Sequence, residues 1–401
     1  MTVKTPIVGE DWKANIHKAV DLIHHKKNFV FCANLDPDSV GSMLALALYL
    51  RLFDKTVHIV LPEPLGANLD FVYKIIQYNG IHVIDAPGRI SEIESAVETV
   101  MFFDTANPKL LPFYSEIRDR LLTGRLPAVE FDHHFGTDSE ALTSNGIKLF
   151  RKANANTEIV GELLLRLHEM SPHSPDPMSR RNILLSLLMG LLCDTLGGKV
   201  VHRQEDYDYW MEKLSQCLEK ETRWRDARPG LPPEDKSTKF GGPDVLLEYL
   251  NRMTHEQEQC LDALTERTAV DRGVAVLNLL NSTYSQVRTY CRPFESDWFS
   301  EVRGFLLNTV PEMSGKVGIV CFHGKDTAGK DCIFIKMRRA VEYTGFDLRK
   351  AEDKIRETFR GQYMGGGGHA GAVSFRIHPH GEDQFLSGIE EVSAFIKTRL
   401  A

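Results

Sequence analysis

Cysteine is scarce and scattered. The seven in 401 residues (Cys32, Cys193, Cys217, Cys260, Cys291, Cys321 and Cys332) form no CxxC pair and no evenly spaced framework. Neither a thiolate metal ribbon nor a disulfide-stapled secreted scaffold is indicated, and a reducing compartment fits better. Long apolar runs are also missing, since no stretch approaches the roughly 20 residues of a membrane-spanning helix. The opening segment MTVKTPIVGEDWKANIHKAV has no apolar run followed by a small-residue cleavage site. A cytoplasmic location and no membrane partner are therefore expected. Excess positive charge is absent: 48 Lys and Arg against 55 Asp and Glu leave a formal net charge of −7. That excludes a broadly basic nucleic-acid coat and confines any phosphate-binding surface to a local patch. Hydrophobic residues make up 42% of the chain, enough for ordinary globular cores. The length suggests roughly two or three domains.

What is present is a series of short apolar runs alternating with helical segments. Residues 28–33 (NFVFCA), 57–61, 82–85, 100–104 and 128–132 read as strands. Residues 71–78 and 112–122 read as helices between them, and MLALALYLRLF, apolar on nearly all sides, reads as a buried helix. This order predicts an α/β domain on a mostly parallel sheet flanked by helices. Arg180–Cys193 reads as another buried helix, ending at Asp194. From 205 to 268 helical patterns are interrupted by RDARPGLPPEDKSTKFGGPD, a loop or linker, after which Asp244 would cap VLLEYLNRM. Strand signals return at 274–280, 316–322, 332–337 and 373–377. Leu348, Ala351, Ile355 and Phe359 mark an amphipathic helix that Gly361 would stop. The expected division is a metal-binding domain at 1–204, a helical connector at 205–268 and a smaller α/β domain with a mixed sheet at 269–401.

The acids gather at strand ends. Asp36 and Asp38 follow the first strand, Asp104 closes a later one, Asp132 with His133 and His134 closes the fifth, and Asp194 ends the apolar helix. In open α/β sheets, ligands bind beyond the carboxyl ends of the strands. Five acids brought to one edge repel one another unless cations neutralise them, and oxygen with imidazole suits Mn²⁺ or Mg²⁺. A single Asp at a strand end is usually a turn former or helix cap. The Asp-His-His run has no such rationale, so a metal site is the better reading. The other adjacent pair, His24 and His25, sits in a polar helix and reads as solvated surface.

These residues spell a family. LDPDSVGS (35–42), FFDTANP (102–108), FDHH (131–134) and GLLCDT (190–195) resemble, in order, the signatures of the DHH phosphoesterases. ANTEIV (155–160) resembles the segment between the last two of them. MGGGGHAGA (364–372) resembles the glycine-rich loop of the family's associated C-terminal domain, and IKMRR (335–339) the strand that sets an arginine beside it. The nearest branches are the nano-RNA phosphodiesterases and single-strand exonucleases.

The resemblance implies two Mn²⁺ ions, with Mg²⁺ as the alternative. Asp38, Asp104, His133 and Asp194 would hold one ion. Asp36 and the bridging Asp104 would hold the other. His134 would lie beside the metals or on the substrate phosphate, and Asp132 would orient the histidines. Arg338 would grip a phosphate with Gly366, Gly367, Gly368 and His369. Lys336 shares the face of Arg338 by strand alternation, whereas Arg339 lies on the other. The chain departs from the family at Cys32, where many members carry a metal-binding histidine, and at Asn34, where exonucleases carry an acid. Four outcomes stay open there: a weaker second metal, Asn34 or water as ligand, a softer metal, or an inert core cysteine.

The expected activity is metal-dependent hydrolysis of a short oligonucleotide or phosphorylated nucleotide, in a cleft between the domains. An exopolyphosphatase or pyrophosphatase is the alternative, and so is a nucleotide-binding regulatory protein with a weakened metal centre. A homodimer is left open.

Overall fold

The computed structural model describes residues 10–400 apart from 63–64, 106, 124–125, 135–140, 172, 224–239, 281–290, 292–297 and 327–329. Most of the 225–244 loop thus lies outside the described residues. Contacts divide the chain at Arg252/Met253 into two units. No described helix is long and apolar enough to cross a membrane.

The first unit runs α1 (Glu10–His25), β1 (Asn28–Ala33), α2 (Pro37–Arg51), β2 (Thr56–Val60), α3 (Asp70–Tyr78), β3 (His82–Ile84), α4 (Gly88–Ile93) and β4 (Thr99–Phe103). It continues with α5 (Tyr114–Ile117), β5 (Ala128–Asp132), β6 (Ile147–Phe150), α6 (Asn156–Met170), α7 (Arg181–Asp194), α8 (Gln204–Arg223) and α9 (Pro243–Leu250). All six strands pair in parallel, in the order β3-β2-β1-β4-β5-β6. The chain therefore winds outward from β1 in one direction and from β4 in the other. The crevice where the order reverses, between β1 and β4, is where such sheets bind ligands.

Strand alternation builds two cores. Phe29, Phe31 and Ala33 of β1 pack with Phe103 and Phe131 against α1, α2, α6 and α7. The rings of Phe103 and Phe131 stack with centroids 4.8 Å apart. Val30 and Cys32 face the other way, onto Ile90, Ile117 and Leu121. Helices α2 and α7 are buried over nearly their whole length, which is why their sequences carry no polar face. They approach closely: a Cβ on Gly41 would meet the Ser186 carbonyl at 2.4 Å. Helix α9 starts after Gly242, with Asp244 in its first turn and not at the cap position expected from sequence; Pro243 fixes the start.

The segment expected as a connector is divided between the units. Trp210 and Leu214 of α8 and Leu246 of α9 join the core of the first. Helix α10 (His255–Thr265), begun by the capping box of Thr254 and Gln257, joins a core of the second.

The second unit continues with β7 (Ala269–Asp271), β8 (Val274–Leu279), α11 (Trp298–Ser314), β9 (Val317–Lys325), β10 (Asp331–Arg339), α12 (Ala351–Thr358), β11 (Tyr363–His369), β12 (Ala372–Ile377) and α13 (Glu382–Lys397). Its sheet, β11-β12-β10-β9-β8-β7, is mixed: only β8 and β9 run parallel. One face carries Ile333, Ile335, Met337 and Phe375 with α12 and α13. The other carries Val320 and Phe322 with Val302, Leu306 and Val310 of α11. Cys260 and Cys291 are joined in a disulfide, a pairing their spacing did not reveal.

The first sheet contains a pH-sensitive element of its own. His58 of β2 and His82 of β3 are register partners, and their rings stack with centroids 5.0 Å apart. Burial, then the charges of His82 and Arg89, push His58 down to about 4. Between that value and the ordinary one of about 6.5, the unfolded chain binds a proton that the folded chain refuses. Stability therefore rises with pH through this window and is lost as pH falls through it. The effect should reach about 1–2 kcal/mol once solvent screening at this half-buried site is allowed for. Denaturant midpoints at pH 7 and pH 5 should differ more for the wild type than for His58→Gln. Parallel pH curves for the two proteins would contradict this.

Candidate metal centre

Each residue of the candidate centre is delivered by the end of an element. Helix α2 begins one residue after Asp36, and Asp38 lies in its first turn. Asp104 follows β4 with φ +54, a left-handed conformation that Asp tolerates better than most side chains do. His133 and His134 follow β5, and Asp194 is the last residue of α7.

Four of these side chains meet. His133 Nε2 lies 3.2 Å from Asp104 Oδ1, 3.2 Å from Asp194 Oδ2 and 3.7 Å from Asp38 Oδ2. Two overlapping sets of potential ligands result, Asp38-His133-Asp194 and Asp104-His133-His134, with ligand atoms in each set within 4.8 Å of one another. Among the described residues, neither His133 Nε2 nor the buried Asp104 Oδ1 has a hydrogen-bond partner.

The surroundings fix these groups in place. Asp38 accepts hydrogen bonds from the backbone N–H of Asn156 (2.6 Å) and of Thr157 (3.0 Å). Both lie at the start of α6, where amides and helix dipole favour an anion. His133 Nδ1 faces the Ala153 carbonyl at 3.2 Å. A carbonyl can only accept, so Nδ1 carries a hydrogen, and Nε2 is the nitrogen turned toward the acids, open to a cation once it gives up its proton. Asp132 Oδ1 accepts from the backbone N–H of His134 and sits 2.9 Å from its Nδ1. Asp132 thus orients His134, while a backbone carbonyl, not expected from sequence, orients His133.

The electrostatics follow from crowding. Burial, then the charges of Asp38 and Asp36, raise the proton affinity of Asp104 well above the ordinary carboxylate range. Burial and Asp38 push Asp194 up to about 7. Burial alone would lower His133, but Asp194 and Asp38 outweigh it and hold the imidazole above its ordinary value. His134 is likewise raised, to about 9, because its bond to Asp132 and the charge of Asp104 outweigh burial. Without a cation, these groups must hold protons that a divalent ion would displace. Orphaned donor atoms, hard oxygens and a correctly oriented imidazole fit such an ion.

Asp36 stands apart from both ligand sets. Its Oδ1 accepts from the Ser39 backbone N–H at 2.9 Å, capping α2, and its Oδ2 accepts from Asn34 Nδ2 at 2.9 Å. Cys32 points to the opposite face of the sheet, where its thiol donates to the Pro112 carbonyl at 3.5 Å. Burial pushes that thiol's pKa up, so it stays protonated. Of the readings open from sequence, Cys32 is the inert core residue, and Asn34 holds Asp36 in place.

In the second unit, the GGGG run is a strand and not a loop. Residues Tyr363–His369 pair with β12, with a register irregularity between Tyr363 and Gly365. Space explains two of the glycines. A Cβ would meet the Ser374 carbonyl at 2.4 Å from Gly366, and the Ala372 carbonyl at 2.2 Å from Gly368. Gly367 lies opposite Ser374, which lies opposite Lys336. Arg338 donates to Asn308 Oδ1 of α11. Arg339 points to the other face and donates to the Thr344 carbonyl at 3.1 Å. The side chain of His369 lies outside the described residues.

No family model matches the chain, and no curated protein matches it. Solved structures do. An exopolyphosphatase-related protein from Bacteroides fragilis is similar over 99% of both chains, with TM-score 0.63 and 17% identity. A DHH domain from a protein described as a member of a family of ribosomal proteins is similar over 100% of this chain and 94% of its own, with TM-score 0.55 and 13% identity. RecJ from Thermus thermophilus, solved with Mn²⁺, is similar over 98% of this chain but 55% of its own, with TM-score 0.50 and 13% identity. The fold shared with these proteins is the DHH fold.

Proposed function

We propose that this chain, which has the DHH fold, is a divalent-metal-dependent phosphoesterase acting on short oligonucleotides or phosphorylated nucleotides. One observation carries the proposal: His133 Nε2, unpartnered among the described residues, stands among the carboxylates of Asp38, Asp104 and Asp194. Asp38, Asp104, His133 and Asp194 would hold one Mn²⁺ or Mg²⁺. A second, if bound, would share Asp104 and recruit Asp36 or His134. Bound divalent ions supply an activated water at neutral pH and neutralise charge on phosphoryl oxygens.

The chain's own groups do the rest. Asp38 is fixed by two amides and His133 by one carbonyl, so neither must reorganise on binding. His134 is the exposed member, with 57% of its side chain open to solvent. Because its Nδ1–H donates to Asp132, the protonated ring keeps its Nε2–H to offer to a substrate oxygen. Arg338 and the glycine strand of the second unit are proposed as the phosphate grip, since Arg is charged throughout the working range and bidentate by geometry.

The similarity to an exopolyphosphatase-related protein over nearly the whole chain favours phosphoanhydride hydrolysis as a second reading. Metal-free protein given Mn²⁺ and a panel of substrates separates the two. Rapid turnover of a 5′-phosphorylated dinucleotide, abolished by chelator and far ahead of long duplex DNA, is expected. Turnover of linear polyphosphate alone would move the assignment to the second reading. Faster degradation of duplex DNA than of dinucleotide would overturn the substrate class.

A further inference from the structure

One side chain of the candidate centre has no anchor of its own. Asp38 is held by two amides, and His133 by the Ala153 carbonyl. Asp194 accepts from no backbone amide among the described residues. Its side chain is 37% open to solvent, against 9% or less for Asp38, Asp104 and His133. Asp194 ends α7, so the turn that follows governs where its carboxylate can go. In that turn Leu196, Gly197 and Gly198 have φ of +50, +69 and +89. A leucine keeps such a left-handed conformation only where its surroundings over-determine it.

The turn is held at both ends. At its start, Thr195 Oγ1 donates to the Leu191 carbonyl at 2.6 Å and accepts from the Gly198 N–H at 3.2 Å. At its exit into α8, Asn154 Oδ1 accepts from the N–H of His202 at 2.9 Å and from that of Arg203 at 2.8 Å. Asn154 Nδ2 donates to the Arg203 carbonyl at 3.0 Å and to Glu158 Oε1 at 2.8 Å. A side-chain amide has two hydrogens to donate and two lone pairs to accept with. Buried Asn154 uses all four. It is also joined directly to Ala153, whose carbonyl faces His133 Nδ1, and it lies just before Asn156 and Thr157, whose amides hold Asp38. One short stretch of chain thus supports His133 and Asp38 through its backbone, and the turn behind Asp194 through the Asn154 side chain.

We propose that Asn154 is a positioning residue of the metal centre, fixing the turn behind Asp194 to the stretch that orients His133 and Asp38. It thereby sets the Asp194 carboxylate against the His133 imidazole. The inference rests on the metal-dependent reading above, but its test needs no turnover. A buried polar group with every bond satisfied is rigid, and such rigidity is what a ligand without its own anchor requires.

The experiment compares wild type with Asn154→Ala, Asn154→Ser and Val72→Ala, well below the melting temperature of each. Val72 is a core residue of α3 outside the centre, so its truncation controls for lost stability alone. In metal-free protein, amide exchange at His202 and Arg203 should quicken in Asn154→Ala and keep the wild-type rate in Val72→Ala. Mn²⁺ should bind Asn154→Ala about 10–100-fold more weakly, the loss that follows removal of an outer partner of a metal ligand. Asn154→Ser, which keeps one hydroxyl for four partners, should fall between, and it carries the comparison if Asn154→Ala does not fold. Val72→Ala should bind as wild type does. Co²⁺ as a spectroscopic probe should absorb differently in Asn154→Ala and unchanged in Val72→Ala, because ligand directions set its spectrum. Wild-type Mn²⁺ affinity and an unaltered Co²⁺ spectrum in both Asn154 variants would overturn the proposal. So would an equal loss of affinity in Val72→Ala. Binding that is absent in wild type, or that survives His133→Ala, would instead overturn the metal reading and this inference with it. Intact binding effects without any turnover would count against the phosphoesterase reading alone.

Discussion

Replacing His133 with alanine should abolish metal-dependent hydrolysis and weaken Mn²⁺ binding well beyond the roughly 10–100-fold that follows loss of an outer hydrogen-bond partner. Its Nε2 is the one neutral donor among three carboxylates, within 3.2 Å of two of them. Removing it leaves Asp38, Asp104 and Asp194 facing one another across an empty volume, with no imidazole to share a cation. The ring is nearly buried and bonded to the Ala153 carbonyl, so the melting temperature of the variant in chelator is measured first as its own baseline. Wild type and variant should then diverge on adding Mn²⁺, which stabilises only the form that binds it, by about 2.7 kcal/mol at a hundredfold excess over Kd. Equal stabilisation of both proteins by Mn²⁺ would show that His133 is not a ligand.

Gly190→Ala should have the second large effect, and it reaches the site through packing. Gly190 lies in α7 one turn before Asp194. A Cβ there would sit 2.4 Å from Asp38 Oδ1 and 2.4 Å from Thr157 Cγ2. Those atoms cannot retreat cheaply. Asp38 is held by the amides of Asn156 and Thr157, and Thr157 belongs to the buried start of α6. The added methyl group must push Asp38 from its amides or separate α7 from α6. Overpacking of this kind costs about 1–3 kcal/mol. Urea denaturation should show that loss, and Mn²⁺ affinity should fall with it. A variant as stable as wild type with unchanged affinity would show that the helices have slack here.

The sequence made much of this legible, for a physical reason. Strands buried on both faces are continuous apolar runs, so a charged residue directly after one marks a sheet edge. Asp36, Asp38, Asp104, Asp132, His133 and His134 could be found that way, and Asp194 by the same logic at the end of a helix with no polar face. The atoms that hold them were not legible as chemistry. The Ala153 carbonyl and the amides of Asn156 and Thr157 are backbone groups, so only the ANTEIV segment as a whole gave a signal. Gly190 lay inside a recognised motif, but nothing showed that its missing side chain makes room for Asp38.

Cys32 was more readable than the family comparison suggested. Counting alternate residues along NFVFCA puts it with Val30, on the face opposite Phe29 and Phe31. The glycine run misled in the other direction, because four glycines have no strand propensity. Their pairing comes from β12, whose carbonyls approach Gly366 and Gly368 too closely for a Cβ at either.

The most direct test of the central claim is a titration of Mn²⁺ into metal-free protein near pH 7, recording bound ion and released protons together. Asp194 titrates up to about 7, and Asp104 and His133 are raised by their neighbours. A cation entering among them must therefore expel protons. Saturable binding of at least one ion per chain with proton release, both lost in His133→Ala, is the expected result. Saturable binding that survives His133→Ala, or no binding at all, would mean that these side chains meet without sharing a metal.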